Sequence, residues 1–365
     1  MKQIKIFKPN NNFLLNKKSY LNDLNKFFLS GNYILGKNVT EIESELSNFV
    51  KSNCLTVANG TDALEIILRG LGIKKNDEVI VPVFTWISTA SAVKIVDAKP
   101  IFSDIELDTY GLCYNSVKKL INKNTKAIII VSLYGQISKD IFRIKKLCKK
   151  KKIFLIEDAA QSFGSILNNN ISCSIGDFST TSFFPTKSLG GYGDGGAIFT
   201  KKKNFFKKFK TIRQNGSIDK KNFTILGRNS RMDEIQALLI RKKLKKFKQM
   251  LKRKRQTANN YIKNLKNNFK FAKFDKNYPS YSLFTLRHKK RDQLVNFLNT
   301  KNIYPGVYYK YLLSDIKFFN YKKKKFPNAR LMSKQCFSIP IHEGIDINDQ
   351  KKIISQINFF LKNYT

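Results

Sequence analysis

Histidine is almost absent from this chain: 365 residues hold two. A histidine-rich metal centre or a histidine general base therefore has little to draw on. Cysteine is scarce as well. The five cysteines, at 54, 113, 148, 173 and 336, are odd in number and widely spaced. They match neither a disulfide framework nor a zinc site, so no metal is expected and a reducing cytoplasmic compartment is the simplest reading. Tryptophan occurs once, as Trp86. No stretch approaches the roughly 18 consecutive apolar residues of a membrane span, and the opening MKQIKIFKPNNNF has no apolar signal core. A soluble protein is expected.

Negative charge is the last shortage, since 26 Asp and Glu face 68 Lys and Arg for a net +42. Such an excess raises nucleic acid or an anionic surface as a partner. It is spread along the chain, however, and Lys, Asn, Ile and Phe are over-used together. The pattern reads as compositional drift in an AT-rich genome, and neither nucleic acid nor membrane is an expected partner. The length exceeds the roughly 250–300 residues at which a single core stops growing, so two lobes are expected.

What is present is an alternation of helical and strand periods. Apolar residues from Lys17 to Phe28 read as a helix, and Val39, Ile42, Leu46 and Phe49 mark a second one with Thr40 as its cap. Strand candidates follow at Leu55–Ala58, Glu78–Val83, Lys99–Ser103, Ala127–Leu133, Ile153–Ile156, Phe178–Phe183 and Ala197–Thr200. With helices between them, seven strands in 200 residues give an α/β layout. The dense positive run Lys242–Arg255 lies on a helix and reads as a solvated face. Shorter elements beyond Tyr261 suffice for a small α+β lobe, with Lys322–Lys325 at a loop tip.

Three turns could carry chemistry. Asn59-Gly60-Thr61-Asp62 joins a strand to a helix start, where free N–H groups favour either an anion or an ordinary cap from Thr61 or Asp62. Trp86 follows a strand end, as core or as a ligand platform. Glu157 and Asp158 close a four-residue apolar strand, as caps or as site residues. The chain is organised around FSTTSFFPTKSLGGYGDGGAIFT, residues 178–200, in which Lys187 precedes glycines at 190, 191, 193, 195 and 196.

Taken in order, Asn59-Gly-Thr-Asp-Ala-Leu64, Phe84-Thr-Trp86, Glu157-Asp-Ala-Ala-Gln161, Ser182-Phe-Phe-Pro-Thr-Lys187, Gly193-Asp-Gly-Gly196 and Gly227-Arg-Asn-Ser-Arg-Met-Asp233 resemble the DegT/DnrJ family of nucleotide-sugar aminotransferases. The resemblance is strong over residues 30 to 245 and thinner beyond, through Val307-Tyr-Tyr309 and Ser338-Ile-Pro-Ile-His342. It implies pyridoxal 5′-phosphate (PLP) fold type I, aspartate aminotransferase-like. That fold has a seven-stranded mixed sheet in a large domain over residues 1–245, a smaller C-terminal α+β domain over 246–365, and a homodimer with shared active sites.

The resemblance also implies roles. Lys187 would form a Schiff base with the cofactor aldehyde and then carry the substrate proton, and Asp158 would pair with the pyridine nitrogen. Trp86 would stack on the ring, Gln161 would lie near its hydroxyl, and Gly60, Thr61 and Ser182 would take the phosphate, with Asn229 reaching it from the neighbouring subunit. Tyr33, Arg231, Tyr308, Tyr309 and Lys310 are the implied substrate contacts. Lysine at 187 separates the chain from the family's dehydratases, which carry histidine there. Val131-Ser-Leu-Tyr-Gly-Gln136, EDAAQSFG at 157–164 and SFFPTKSLGGYGDGG at 182–196 look most like the enzymes that aminate UDP-2-acetamido-2-deoxy-3-oxo-glucuronate for surface polysaccharide, including lipopolysaccharide, with L-glutamate as donor. The alternatives are a 4-keto-6-deoxy-sugar nucleotide aminotransferase and a PLP-fold regulatory or nucleic-acid-binding protein.

Overall fold

The computed structural model describes residues 2–265, 268–269, 271, 277–321 and 325–364. Of the lysine run at 322–325, only Lys325 lies within the described residues. At the centre are seven strands: Asn53–Val57 (β1), Glu78–Pro82 (β2), Lys99–Ser103 (β3), Thr125–Val131 (β4), Phe154–Asp158 (β5), Phe178–Ser182 (β6) and Gly196–Thr200 (β7). They form one sheet in the order β1-β7-β6-β5-β4-β2-β3, with β7 antiparallel to both neighbours and every other pairing parallel. The mixed seven-stranded sheet is the one expected from the sequence.

The run Ala127-Ile-Ile-Ile-Val131 shows why. Its side chains alternate between faces, and each face is buried against helices. Ala127, Ile129 and Val131 join the cluster holding Leu64, Ile67, Ala92 and Val93, whereas Ile128 and Ile130 join Ile141, Ile144 and Leu147. Burying each such side chain contributes about 1.5–3 kcal/mol. Five helices matter below: Lys37–Val50 (α1), Gly60–Gly70 (α2), Ser88–Ile95 (α3), Glu234–Leu265 (α4) and Ile347–Tyr364 (α5).

Helix α4 is 32 residues long and serves two cores. Ala237, Ile240, Phe247 and Leu251 pack with Val39, Ile42 and Leu46 of α1. Its last turns, through Ala258, Tyr261 and Leu265, pack with Phe284, Leu286, Phe337 and Ile339 of a two-stranded sheet and with Ile353 and Ile357 of α5. The division expected between 245 and 246 falls inside this helix. The amino terminus joins the second core, since Ile4–Lys5 pairs in parallel with Ile303–Tyr304.

Three local expectations are corrected. Helix α1 begins at Lys37, a turn before Thr40, and Glu234 caps it from α4 by accepting from the N–H groups of Asn38 (2.9 Å) and Val39 (2.8 Å). Helix α2 is capped by Asn59, whose side chain accepts from Asp62 N–H at 2.8 Å, rather than by Thr61 or Asp62. Along Lys242–Arg255 the face is not uniformly solvated, because Lys243 and Lys254 point inward and are 3% and 7% exposed.

Glu157 and Asp158 also part company. Glu157 is fully buried and accepts from the N–H groups of Cys173 (2.9 Å), Ile175 (3.1 Å) and Gly176 (3.4 Å) and from the hydroxyl of Ser179 (3.1 Å). It fixes the loop before β6 and takes no part in the cavity described below. Each buried N–H left without an acceptor costs about 1–3 kcal/mol. Glu157→Ala is therefore expected to lower unfolding stability by at least about 3 kcal/mol, measured by denaturant titration; a loss under about 1 kcal/mol would contradict this assignment.

Candidate active site

Parallel strands leave a crevice beyond their carboxyl ends, and turns that start there point side chains into it. The turns after β1, β2, β5 and β6 deliver Gly60 and Thr61, Trp86, Asp158, and Ser182 with Lys187 to one cavity of about 540 Å³. Gly196, where β7 starts, makes the junction fit: a Cβ there would lie 2.5 Å from the backbone carbon of Asn59. Only glycine lets β7 pass this close to the amino terminus of α2.

The electrostatic axis of the cavity joins Asp158 to Lys187. Asp158 is 6% exposed; its carboxylate accepts from Thr89 Oγ1 (3.0 Å) and from Ala160 N–H (3.1 Å). Burial pushes this carboxyl above the usual carboxylate range, while those two bonds and the charge of Lys187 pull it back. Burial likewise lowers the pKa of Lys187, and the charge of Asp158 raises it in part. No hydrogen bond or ion pair engages the Lys187 amine among the described residues. An amine that holds its proton loosely is a nucleophile and a proton carrier.

The other walls are an anion-binding end and an aromatic floor. At the first, the amino terminus of α2 presents its free N–H groups with the hydroxyls of Thr61, Ser88 and Ser182, and Thr61 Oγ1 donates to Ser88 Oγ at 2.9 Å. At the second, Trp86 is 50% exposed and lies 5.9 Å from the ring of buried Tyr309. Gln161 joins this wall to the turn after β4, since its Oε1 accepts from Tyr134 N–H (2.8 Å) and its Nε2 donates to the Tyr309 hydroxyl (3.2 Å).

Of the residues singled out from the sequence, Gly60, Thr61, Trp86, Asp158, Gln161, Ser182, Lys187, Tyr308 and Tyr309 meet at this cavity. Tyr33, Asn229, Arg231 and Lys310 do not line it within one chain. Asn229 bridges Gln214, and Tyr33 is half exposed beside Phe27. Thr89 and Phe7 were not anticipated, whereas Asn59 opens the turn already singled out. Thr89 lies in the first turn of α3, just after Trp86, and nothing local announces that it meets a carboxylate 69 residues away.

PLP, the cofactor implied by the resemblance, suits these groups. Amine and carboxylate face one volume, the carboxylate keeps acceptor capacity beyond its two bonds, and an anion end and an exposed indole line the same cavity. Lys187 would hold its aldehyde, Asp158 its ring nitrogen, and Gly60, Thr61 and Ser182 its phosphate.

Comparison with known proteins gives the same direction. The model of the DegT/DnrJ/EryC1/StrS aminotransferase family matches residues 15–358. The chain is 37% identical over 331 residues to UDP-2-acetamido-2-deoxy-3-oxo-D-glucuronate aminotransferase of Pseudomonas aeruginosa, covering 90% of this chain and 92% of that one. It is 32% identical over 357 residues to a protein of Geobacillus stearothermophilus named pleiotropic regulatory protein, covering 95% and 96%. A crystal structure of a DegT DnrJ EryC1 StrS aminotransferase from Brucella abortus superposes with a TM-score of 0.92 at 29% identity, covering 99% of each chain.

The coupling of the two charged groups has a measurable sign. Asp158 raises the pKa of Lys187, so neutralising it should lower that value further. Trapping of the cofactor-free protein by a small aldehyde and borohydride, followed by peptide mass mapping, should label Lys187 with a half-maximal pH below the ordinary 10.5. In Asp158→Asn the half-maximal pH should fall below that of the wild type, and an unchanged or higher value would contradict the coupling.

Proposed function

The chain belongs to the DegT/DnrJ/EryC1/StrS aminotransferase family, and from that premise we propose that it moves an amino group from L-glutamate to the keto-sugar nucleotide UDP-2-acetamido-2-deoxy-3-oxo-glucuronate. It is an aminotransferase of PLP fold type I, and its cofactor is PLP. The observation that carries the chemistry is that Lys187, Asp158 and the amino terminus of α2 line one cavity. The relation to the Pseudomonas enzyme supports the choice of acceptor.

When bound, the cofactor supplies an aldehyde that takes an amine and a ring that accepts the electron pair of a substrate C–H bond. The chain supplies the rest. Asp158, oriented by Thr89 and by the N–H of Ala160, would hold the ring nitrogen and supply a negative charge that favours its protonated form. Lys187 Nζ removes the proton from the donor's α-carbon and later delivers a proton to the sugar carbon that receives the amine. The N–H groups at Gly60 and Thr61, with the hydroxyls of Thr61 and Ser182, would hold the phosphate and so fix the cofactor relative to Lys187. Trp86, exposed in the same cavity, would pack against the ring and exclude water from it.

Tyr33, Asn229, Arg231 and Lys310 lie outside the single-chain cavity, and we assign them to a site completed by a second subunit. Leu14, Leu15, Phe28, Leu29, Phe223 and Leu226 are large apolar side chains left more than half exposed, which favours a homodimer. No helix among the described residues is long and apolar enough to cross a membrane. We place the reaction in the cytoplasm, where its product would feed surface polysaccharide assembly, lipopolysaccharide included.

Incubation with L-glutamate and either UDP- or dTDP-linked keto sugars, with the aminated carbon identified by NMR, tests the acceptor. An amine at C3 of the UDP-linked 3-oxo sugar acid is the expected product; amination only at C4 of a 4-keto-6-deoxy sugar would overturn this choice. Lys187→Ala should lose at least about a thousandfold in transfer rate while keeping its circular dichroism spectrum. Retained turnover would mean that another residue carries the proton.

A further inference from the structure

Behind the Lys187 turn lies a second, smaller recess of about 30 Å³, room for about two waters or one carboxylate group. Its walls come from α4 (Lys243, Lys254), the Lys187 turn, the amino-terminal segment, and the loop after the last strand (His342, Glu343). It shares Phe7, Thr186, Lys187 and Ser282 with the main cavity, so the two meet at the catalytic lysine.

The recess is cationic and underpartnered. Lys243 Nζ donates to Gly190 O at 2.6 Å and lies 4.3 Å from the centre of the Tyr192 ring, leaving further donors. Lys254 is 7% exposed and lines the recess, yet its ammonium makes no hydrogen bond or ion pair within 4 Å among the described residues. Glu343 is the one acidic residue in the walls, against Lys187, Lys243 and Lys254 inside and Lys8 at the exposed rim. His342 adds no charge near neutrality, because burial pushes it down to about 4. Burial also lowers Lys243 to about 8 and pulls Lys254 down, while the charge of Glu343 raises both in part. A buried ammonium costs several kcal/mol unless it is paired, and an arriving anion removes that cost. The sequence placed both lysines on a solvated face, whereas the fold aims them beneath the reacting amine.

We propose that this recess is a carboxylate subsite of the active site, in which Lys254 and Lys243 take the carboxylate of a substrate whose reacting carbon sits at Lys187. Two sources fit: the side-chain carboxylate of the amino donor and the acid group of the uronate acceptor. The choice between them rests on the proposed function; the existence of the subsite does not.

The test uses the cofactor-loaded enzyme, with formate as the probe and ionic strength held constant with sodium isethionate, which carries no carboxylate. Saturable formate binding is expected in calorimetry, weakened about tenfold or more in Lys254→Met and kept in Lys254→Arg, which separates lost charge from a folding defect. Steady-state arms then identify the source. A KM raised in Lys254→Met for L-glutamate but not for L-alanine assigns the donor. A KM raised for the uronate but not for a 3-oxo sugar nucleotide lacking the acid group assigns the acceptor. Absence of saturable formate binding overturns the subsite, leaving a recess that holds water. Formate binding lost in Lys254→Met with every KM unchanged overturns its assignment to a substrate. Formate binding is read without turnover, so it can succeed even where the proposed acceptor is wrong.

Discussion

The attraction between a carboxylate and an amine that are both withdrawn from bulk water and line one cavity is the constraint on which the rest of this molecule depends. Burial drives Asp158 and Lys187 each toward its neutral form, and each resists that drift in the other. Neither effect alone would give a useful site. An unopposed buried acid would be neutral and could not hold a cationic ring, and a fully paired lysine would hold its proton too tightly to be a base. The arrangement needs a ligand that accepts one group at each end, and PLP has that form.

Holding two such groups in place is the work of the sheet. Asp158 ends β5, in the middle of seven strands, where hydrogen bonding on both sides leaves little freedom, and Thr89 and the turn at Ala160 fix its carboxylate. Lys187 sits on a turn closed by its own N–H to Phe184 O at 2.9 Å. Lys243 ties the following segment at Gly190, so the long helix that joins the two cores also braces the Lys187 turn. A change in how the lobes pack on that helix would reach Lys187 through Lys243 and Gly190. The stability of the fold and the geometry of the site are therefore coupled through one element.

Most of this was legible in the sequence because it is local. Seven strands could be read from short apolar runs, since a strand buried on both faces has no polar face to interrupt it, as in Ala127–Val131. The site turns could be read because small residues at strand ends have few other uses. What escaped was set by contacts distant in the chain. Thr40 looked like a cap because the true one, Glu234, arrives from almost 200 residues away. Glu157 and Asp158 are neighbours with opposite fates, and only the loop at 173–176, which takes Glu157 as its acceptor, tells them apart. Lys243 and Lys254 were hidden within a run of like charges, where composition argues for solvent and only packing against the Lys187 turn argues otherwise.

The most direct test of the central claim is the ¹⁵N NMR shift of the ring nitrogen in enzyme loaded with ring-¹⁵N-labelled PLP. A ring nitrogen that stays protonated well above its pKa in free cofactor, and loses that protonation in Asp158→Asn, is the predicted result. A nitrogen with the shift of an unprotonated pyridine in the wild-type enzyme would show that Asp158 does not hold the cofactor, and would contradict the account.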